Sequence, residues 1–138
     1  MNAYQEMQDR QQKEFNFFAF GQEQFDEGMK KLGLKPGDTK LIYRAPGGMY
    51  YRKTDSDSLK EMMARFDREK EAAIVGDTTG EGFILDMFST ELANHEFGYT
   101  YELEETLEVV GLTVAAVKAN PNLLNGLRKA LKKYGATI

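Results

Sequence analysis

Five of the chain's nine phenylalanines fall between Phe15 and Phe25, in Phe15-Asn16-Phe17-Phe18-Ala19-Phe20-Gly21-Gln22-Glu23-Gln24-Phe25. So many apolar side chains in one stretch favour removal from water, and this limits what the segment can become. Alternate side chains of a strand point to opposite faces, so Phe15–Phe20 predicts a short strand covered on both sides. After Phe20 the period changes. Phe25, Met29 and Leu32 recur at helical spacing, and Gly33 follows where a helix takes a left-handed C′ residue. With Gly21 as N-cap, Gln24 falls at N3 and Phe20 meets Phe25 as a hydrophobic staple. The segment reads as a strand feeding a helix across a stapled corner, and core placement of Phe25 predicts a cost of about 3–5 kcal/mol for Phe25→Ala. An exposed aromatic docking patch is the competing reading.

The rest of the pattern is punctuated by turns and caps. Lys35-Pro36-Gly37-Asp38 is a turn, and Leu41-Ile42-Tyr43 and Met49-Tyr50-Tyr51 flank Ala45-Pro46-Gly47-Gly48 as a hairpin over residues 40–53, with Pro then Gly suiting a type II turn. Asp55-Ser56-Asp57-Ser58 offers N-caps to a helix whose apolar face runs through Leu59, Met62, Met63, Phe66, Ala73 and Ile74 to Gly76. Ile84, Phe88 and Leu92 predict a further helix reaching toward Gly98. Thr100 is placed to cap the next helix, which buries Leu103, Leu107 and Val110 and ends at Gly111 with Leu112 packing back. Thr113 caps a two-turn helix, and Asn120-Pro121 opens the last one with Pro at N1. The fold class is α+β: about five to six helices packed on a small antiparallel sheet of about three strands, Phe15–Phe20 plus the hairpin. Residues 1–14 form a polar N-terminal helix or arm, and residues 15–138 a single globular domain.

With 138 residues the chain is long enough to bury a core without metal or disulfide staples. It has no cysteine, which removes thiol catalysis and thiolate metal sites. A net charge of -4 opposes general attraction to nucleic acid. No basic region followed by an apolar stretch opens the sequence, and no apolar run is long enough to span a bilayer, so the cytoplasm is the expected location.

Several segments occur together: Phe17-Phe18-Ala19-Phe20 before Gln24-Phe25-Asp26-Glu27-Gly28, the Gly-turn hairpin, Glu91-Leu92-Ala93-Asn94-His95-Glu96, and Glu102-Leu103-Glu104-Glu105-Thr106-Leu107 before Gly111-Leu112-Thr113. In this order they resemble an uncharacterised family of small proteins, a domain of unknown function, carried by phages, plasmids and conjugative elements of gut bacteria. The resemblance spans roughly residues 15 to 134. It implies a bacterial, mobile-element setting and brings no assigned activity or catalytic residues. Where the family usually has a polar N-cap this chain has Gly21, which weakens the cap by only about a few tenths of a kcal/mol.

Candidate chemistry is sparse. His95 is the only histidine, which removes two-histidine metal motifs, and it falls where a helix dipole favours a charged imidazole. Asp86, Glu91 and Glu96 are spread around a helix rather than aligned for a hard cation, so no metal or other cofactor is expected. Asp77-Thr78-Thr79-Gly80-Glu81-Gly82 lacks the Lys-Ser/Thr ending of a phosphate loop and no strand precedes it. It reads as a helix connection whose two glycines leave it mobile. Leu107 to Val117, with Gly111 in the turn, has the outline of a helix-turn-helix, but Val114-Ala115-Ala116-Val117-Lys118 presents almost nothing that reads a base edge. Glu102, Glu104, Glu105 and Glu108 precede a final helix bearing Arg128, Lys129, Lys132 and Lys133, a distribution that the helix dipole largely explains.

The reading that remains is a non-enzymatic interaction module, or a modulator of a host protein, whose partner is a host or mobile-element protein. Its expected surface is Tyr43, Arg44, Tyr50, Tyr51 and Arg52 on the hairpin, residue types favoured in interface hot spots, although cross-strand packing accounts for the tyrosines equally well. One alternative is a DNA-binding regulator using Lys118, Arg128, Lys129, Lys132 and Lys133, a patch that also suits an acidic partner. Another is a hydrolase-like enzyme around His95, Glu91 and Glu96, which requires those groups to line one concave pocket. Self-association is a third.

Overall fold

The computed structural model describes residues 1–45 and 47–138. The elements run α1 (Ala3–Phe15), β1 (Ala19–Phe20), α2 (Phe25–Lys31), β2 (Ile42–Arg44), β3 (Tyr50–Arg52), α3 (Ser56–Gly76), α4 (Phe83–Asn94), α5 (Phe97–Thr100), α6 (Glu104–Val109), α7 (Val114–Lys118) and α8 (Pro121–Lys132). Among the described residues, eight helices with a three-stranded antiparallel sheet make the fold α+β, as the sequence pattern predicts. Two compact units are distinguished: Asp9–Arg68, and Met1–Gln8 with Glu69–Ile138.

In the Asp9–Arg68 unit the strand order is β1-β3-β2, with Phe20 opposite Tyr50, Ala19 opposite Tyr51, Tyr43 opposite Tyr51 and Arg44 opposite Tyr50. Strand alternation then sorts the side chains by face. Phe20, Ile42 and Tyr50 meet Met29 and Leu32 on the side of α2, while Tyr51 meets Leu59, Met62 and Phe66 of α3 on the other.

The expected strand over Phe15–Phe20 is shorter than its aromatic run. Residues 3–14 are mostly good helix formers, and α1 carries that conformation through Phe15. Asn16 to Phe18 turn, leaving Ala19 and Phe20 to pair with β3. Phe15 and Phe18 pack with the α3 cluster, but Phe17 is 71% exposed, so the run is not covered on both faces throughout.

The corner itself forms. The rings of Phe20 and Phe25 meet edge to face at 5.5 Å. A 3-10 turn, Gln22–Gln24, leads into α2, so Gln24 lies in that turn rather than at N3. Gly28 is where α2 rides over the ring, because a Cβ there would sit 2.2 Å from Cγ of Phe20. At the far end Gly33 takes φ 76°, Gly33 N donates to Lys30 O and Leu34 N to Met29 O, which is the predicted left-handed C-cap in its Schellman form. The turn at Lys35 to Asp38 and the hairpin are also as expected. The turn type rests in part on Pro46, which lies outside the described residues.

In the other unit Ile84, Met87, Phe88 and Leu92 of α4 are fully buried. α8 approaches α4 at Gly126, where a Cβ would meet Ile84 Cγ2 at 2.4 Å. Tyr4 and Met7 of α1 join this core, Ala3 N donates to Asp86 Oδ2 and Asn2 Nδ2 to Thr90 Oγ1. Thr113 Oγ1 accepts from Ala116 N, and Asn120 Oδ1 accepts from both Asn122 N and Leu123 N ahead of Pro121 at N1. Replacing Asn120 with Ala is expected to cost about 1 kcal/mol, read as a fall in urea midpoint without a change in slope.

Two boundaries differ from the sequence pattern. α4 stops at Asn94, because Glu96 adopts a left-handed φ of 55° and starts the one-turn α5. Thr100 lies inside α5, and its hydroxyl accepts from Glu102 N instead of capping α6.

Candidate functional site

The Asp9–Arg68 unit carries an open groove of about 570 Å³ along α3. Ser56, Leu59, Lys60, Met63, Ala64 and Asp67 line it at spacings of three and four residues, the signature of one helical stripe. Phe15, Ala45 and Tyr51 line it as well. Leu59 is buried into the α3 cluster, whereas Met63 remains 49% exposed. Tyr43 extends the apolar surface from Tyr51, ring to ring at 5.9 Å, and Lys53 Nζ stands 4.9 Å from the Tyr43 ring centroid. The site is thus a mostly apolar trough, with one ammonium, Lys60, and one carboxylate, Asp67, about two turns apart along α3.

The five hairpin residues are divided between the faces of the sheet. Tyr43 and Tyr51 lie on the α3 side. Tyr50 packs among Phe20 and Phe25, at 5.8 and 5.3 Å, and its hydroxyl donates to Gln22 Oε1. Arg52 donates to both oxygens of Asp55 and to Leu32 O, a bidentate arrangement that locks the start of α3. Arg44 is exposed and shares the strand face of Tyr50. The sequence pattern does not single out Lys60, Ala64 or Asp67, and it places Met63 on the buried face of α3 with Leu59, Met62 and Phe66, whereas Met63 is exposed. The signal is the Met62-Met63 pair: Leu59, Met62 and Phe66 already complete a buried stripe, so Met63 has no place in it.

The other candidates are dispersed. His95 Nε2 lies 3.8 Å from Glu91 Oε2 and Nδ1 3.5 Å from Glu105 Oε2, so the carboxylates that meet the imidazole are Glu91 and Glu105. Glu91 is buried and accepts from Asn94 Nδ2, while Asp86 accepts from the start of α1. Burial first, and the nearby Glu91 carboxylate second, push the Tyr4 hydroxyl well above the usual tyrosine range, keeping it neutral. Among the described residues no three His, Asp or Glu side chains gather to hold a metal ion.

Asp77 organises the loop after α3. Its carboxylate accepts from the backbone N–H groups of Thr79, Gly80, Gly82 and Ile84. Burial raises the Asp77 pKa, but the four donors outweigh it and hold the carboxyl below the usual range. Asn122 and Asn125 donate to carbonyls of the same loop, and Glu81 pairs with Lys129, so the two glycines sit in a tied segment. Of the basic residues, Lys118 ends α7, Arg128, Lys129 and Lys132 project from α8, and Lys133 follows it; all are exposed. The α7 residues Val114, Ala115 and Ala116 are exposed and offer no polar side chain to a base.

No curated protein and no solved structure matches the chain. The model of a family of unknown function, DUF7659, matches residues 3–133, from the first residue of α1 to the residue after α8. The matched span takes in both compact units and the whole groove, and on that extent the chain belongs to the family of unknown function DUF7659.

Proposed function

We propose that this chain is a non-enzymatic protein-interaction module of a bacterial mobile element, working in the cytoplasm, and that it docks protein on the groove along α3. The observation that carries the reading is Met63: a long, adaptable apolar side chain, half exposed at the middle of an apolar trough, with no role in the adjacent core. Methionine and tyrosine are enriched at the centres of interfaces, and the pairing of Tyr43 with Tyr51 supplies rigid apolar area beside it. Ser56 and Lys60 line the groove one turn apart without a hydrogen bond between them. Among the described residues no helix is long and apolar enough to cross a membrane.

Met63→Glu places a charge at the centre of the trough without touching the buried stripe. The variant should keep wild-type circular dichroism and thermal midpoint and lose, by about ten-fold or more, whatever protein the wild type retains in quantitative affinity capture. Equal retention by a folded Met63→Glu variant would contradict the reading.

A further inference from the structure

We infer that the protein docked on the α3 groove is a second copy of this chain, bound antiparallel through Lys60, Met63, Ala64 and Asp67 about a two-fold axis. The inference rests on the groove being a docking site and names its occupant. All four residues are exposed on the stripe that lines the groove. In an antiparallel pair of α3 helices centred between Met63 and Ala64, position 60 of one copy faces 67 of the other, and 63 faces 64. Each ammonium then meets a carboxylate, and each large side chain meets a small one. A two-fold interface demands this self-complementarity, because the same patch serves both sides.

The charges are available for it. Among the described residues neither Lys60 nor Asp67 takes part in an ion pair, whereas the neighbouring Arg65 is paired with Glu14 and Arg52 with Asp55. Lys60 and Asp67 lie seven residues apart, about 10 Å along the helix axis at the standard rise. That separation leaves Met63 and Ala64 alone between the two ion pairs. Ala64 at the crossing also lets two helix backbones approach closely, as small residues do where helices pack. Other occupants fit less of this pattern. An anionic amphiphile would satisfy Lys60 but leave Asp67 unmatched, and a nucleic acid would meet Asp67 and an apolar floor.

Sedimentation equilibrium on the intact chain across a dilution series tests the inference. The wild type is expected to reach twice its 15.7 kDa mass. Lys60→Asp and Asp67→Lys should each weaken association about ten-fold, since each sets like charges opposite one another twice. The double variant, which exchanges the charges of both pairs, should return to within about three-fold of wild type. A dimer indifferent to both single variants and to Met63→Glu would overturn the inference by placing self-association elsewhere. A wild type that stays monomeric throughout also overturns it. If Met63→Glu then still abolishes capture of a different protein, the groove reading survives without the second copy; if it changes nothing, both fall.

Discussion

Phe20→Ala is expected to destabilise the fold by about 3–5 kcal/mol, measured by urea unfolding of the purified variant. Its ring is 6% exposed and touches Phe25, Tyr50 and the backbone of α2 at Gly28. Removing it leaves a cavity between the sheet and a seven-residue helix that has little else to hold it. Phe25 is only half-buried, so Phe25→Ala should cost roughly half as much, about 2 kcal/mol, rather than the full core value that the sequence pattern predicts. Gly28→Ala probes the same contact from the other side. It gains helix propensity but drives a methyl into the Phe20 ring, and a net loss of about 2 kcal/mol is expected. A Phe20→Ala variant as stable as wild type would mean that the corner is not core.

Asp77→Ala is expected to cost about 2–3 kcal/mol, because one carboxylate serves four backbone donors and caps the start of α4. Its pH dependence has a defined sign. The folded-state pKa is depressed below that of the unfolded chain, so the stabilisation is fully present above the unfolded value, near 4, and is lost as pH falls through the folded value. Asp77→Asn removes that ionisation and should flatten the acid side of the stability profile relative to wild type. Parallel profiles below about pH 4 would show that the carboxylate is not held in this way.

Features decided by a few neighbouring residues are legible in the sequence. Gly33 and Gly111 both adopt the left-handed C-cap, Thr113 and Asn120 both cap, and Phe20 meets Phe25. Features decided by pairing partners are not. The aromatic run from Phe15 to Phe20 fits a strand by composition, yet β3 presents only three residues to pair with, and the helix-forming run ahead of it claims Phe15. The end of α4 depends on Glu96 in a conformation that only Gly, and occasionally Asn or Asp, visits routinely, so nothing local announces it.

The groove was legible only in part. Tyr43 and Tyr51 could be chosen as interface residues by type, but separating them from Arg44, Tyr50 and Arg52 needs the strand register, which fixes the face of each side chain. Likewise Met63 reads as one more apolar residue on α3 until Leu59, Met62 and Phe66 are seen to fill the space beneath the sheet.

Docking of protein along the α3 stripe is tested most directly by a photo-reactive amino acid introduced at position 63. One defined covalent adduct is expected on irradiation, with the crosslink mapping to the apolar partner surface, or to α3 of a second copy if the chain self-associates. The same probe at Val75, which is 81% exposed on α3 but outside the groove, should give none. No adduct at position 63, or the same adduct from both positions, would contradict such docking.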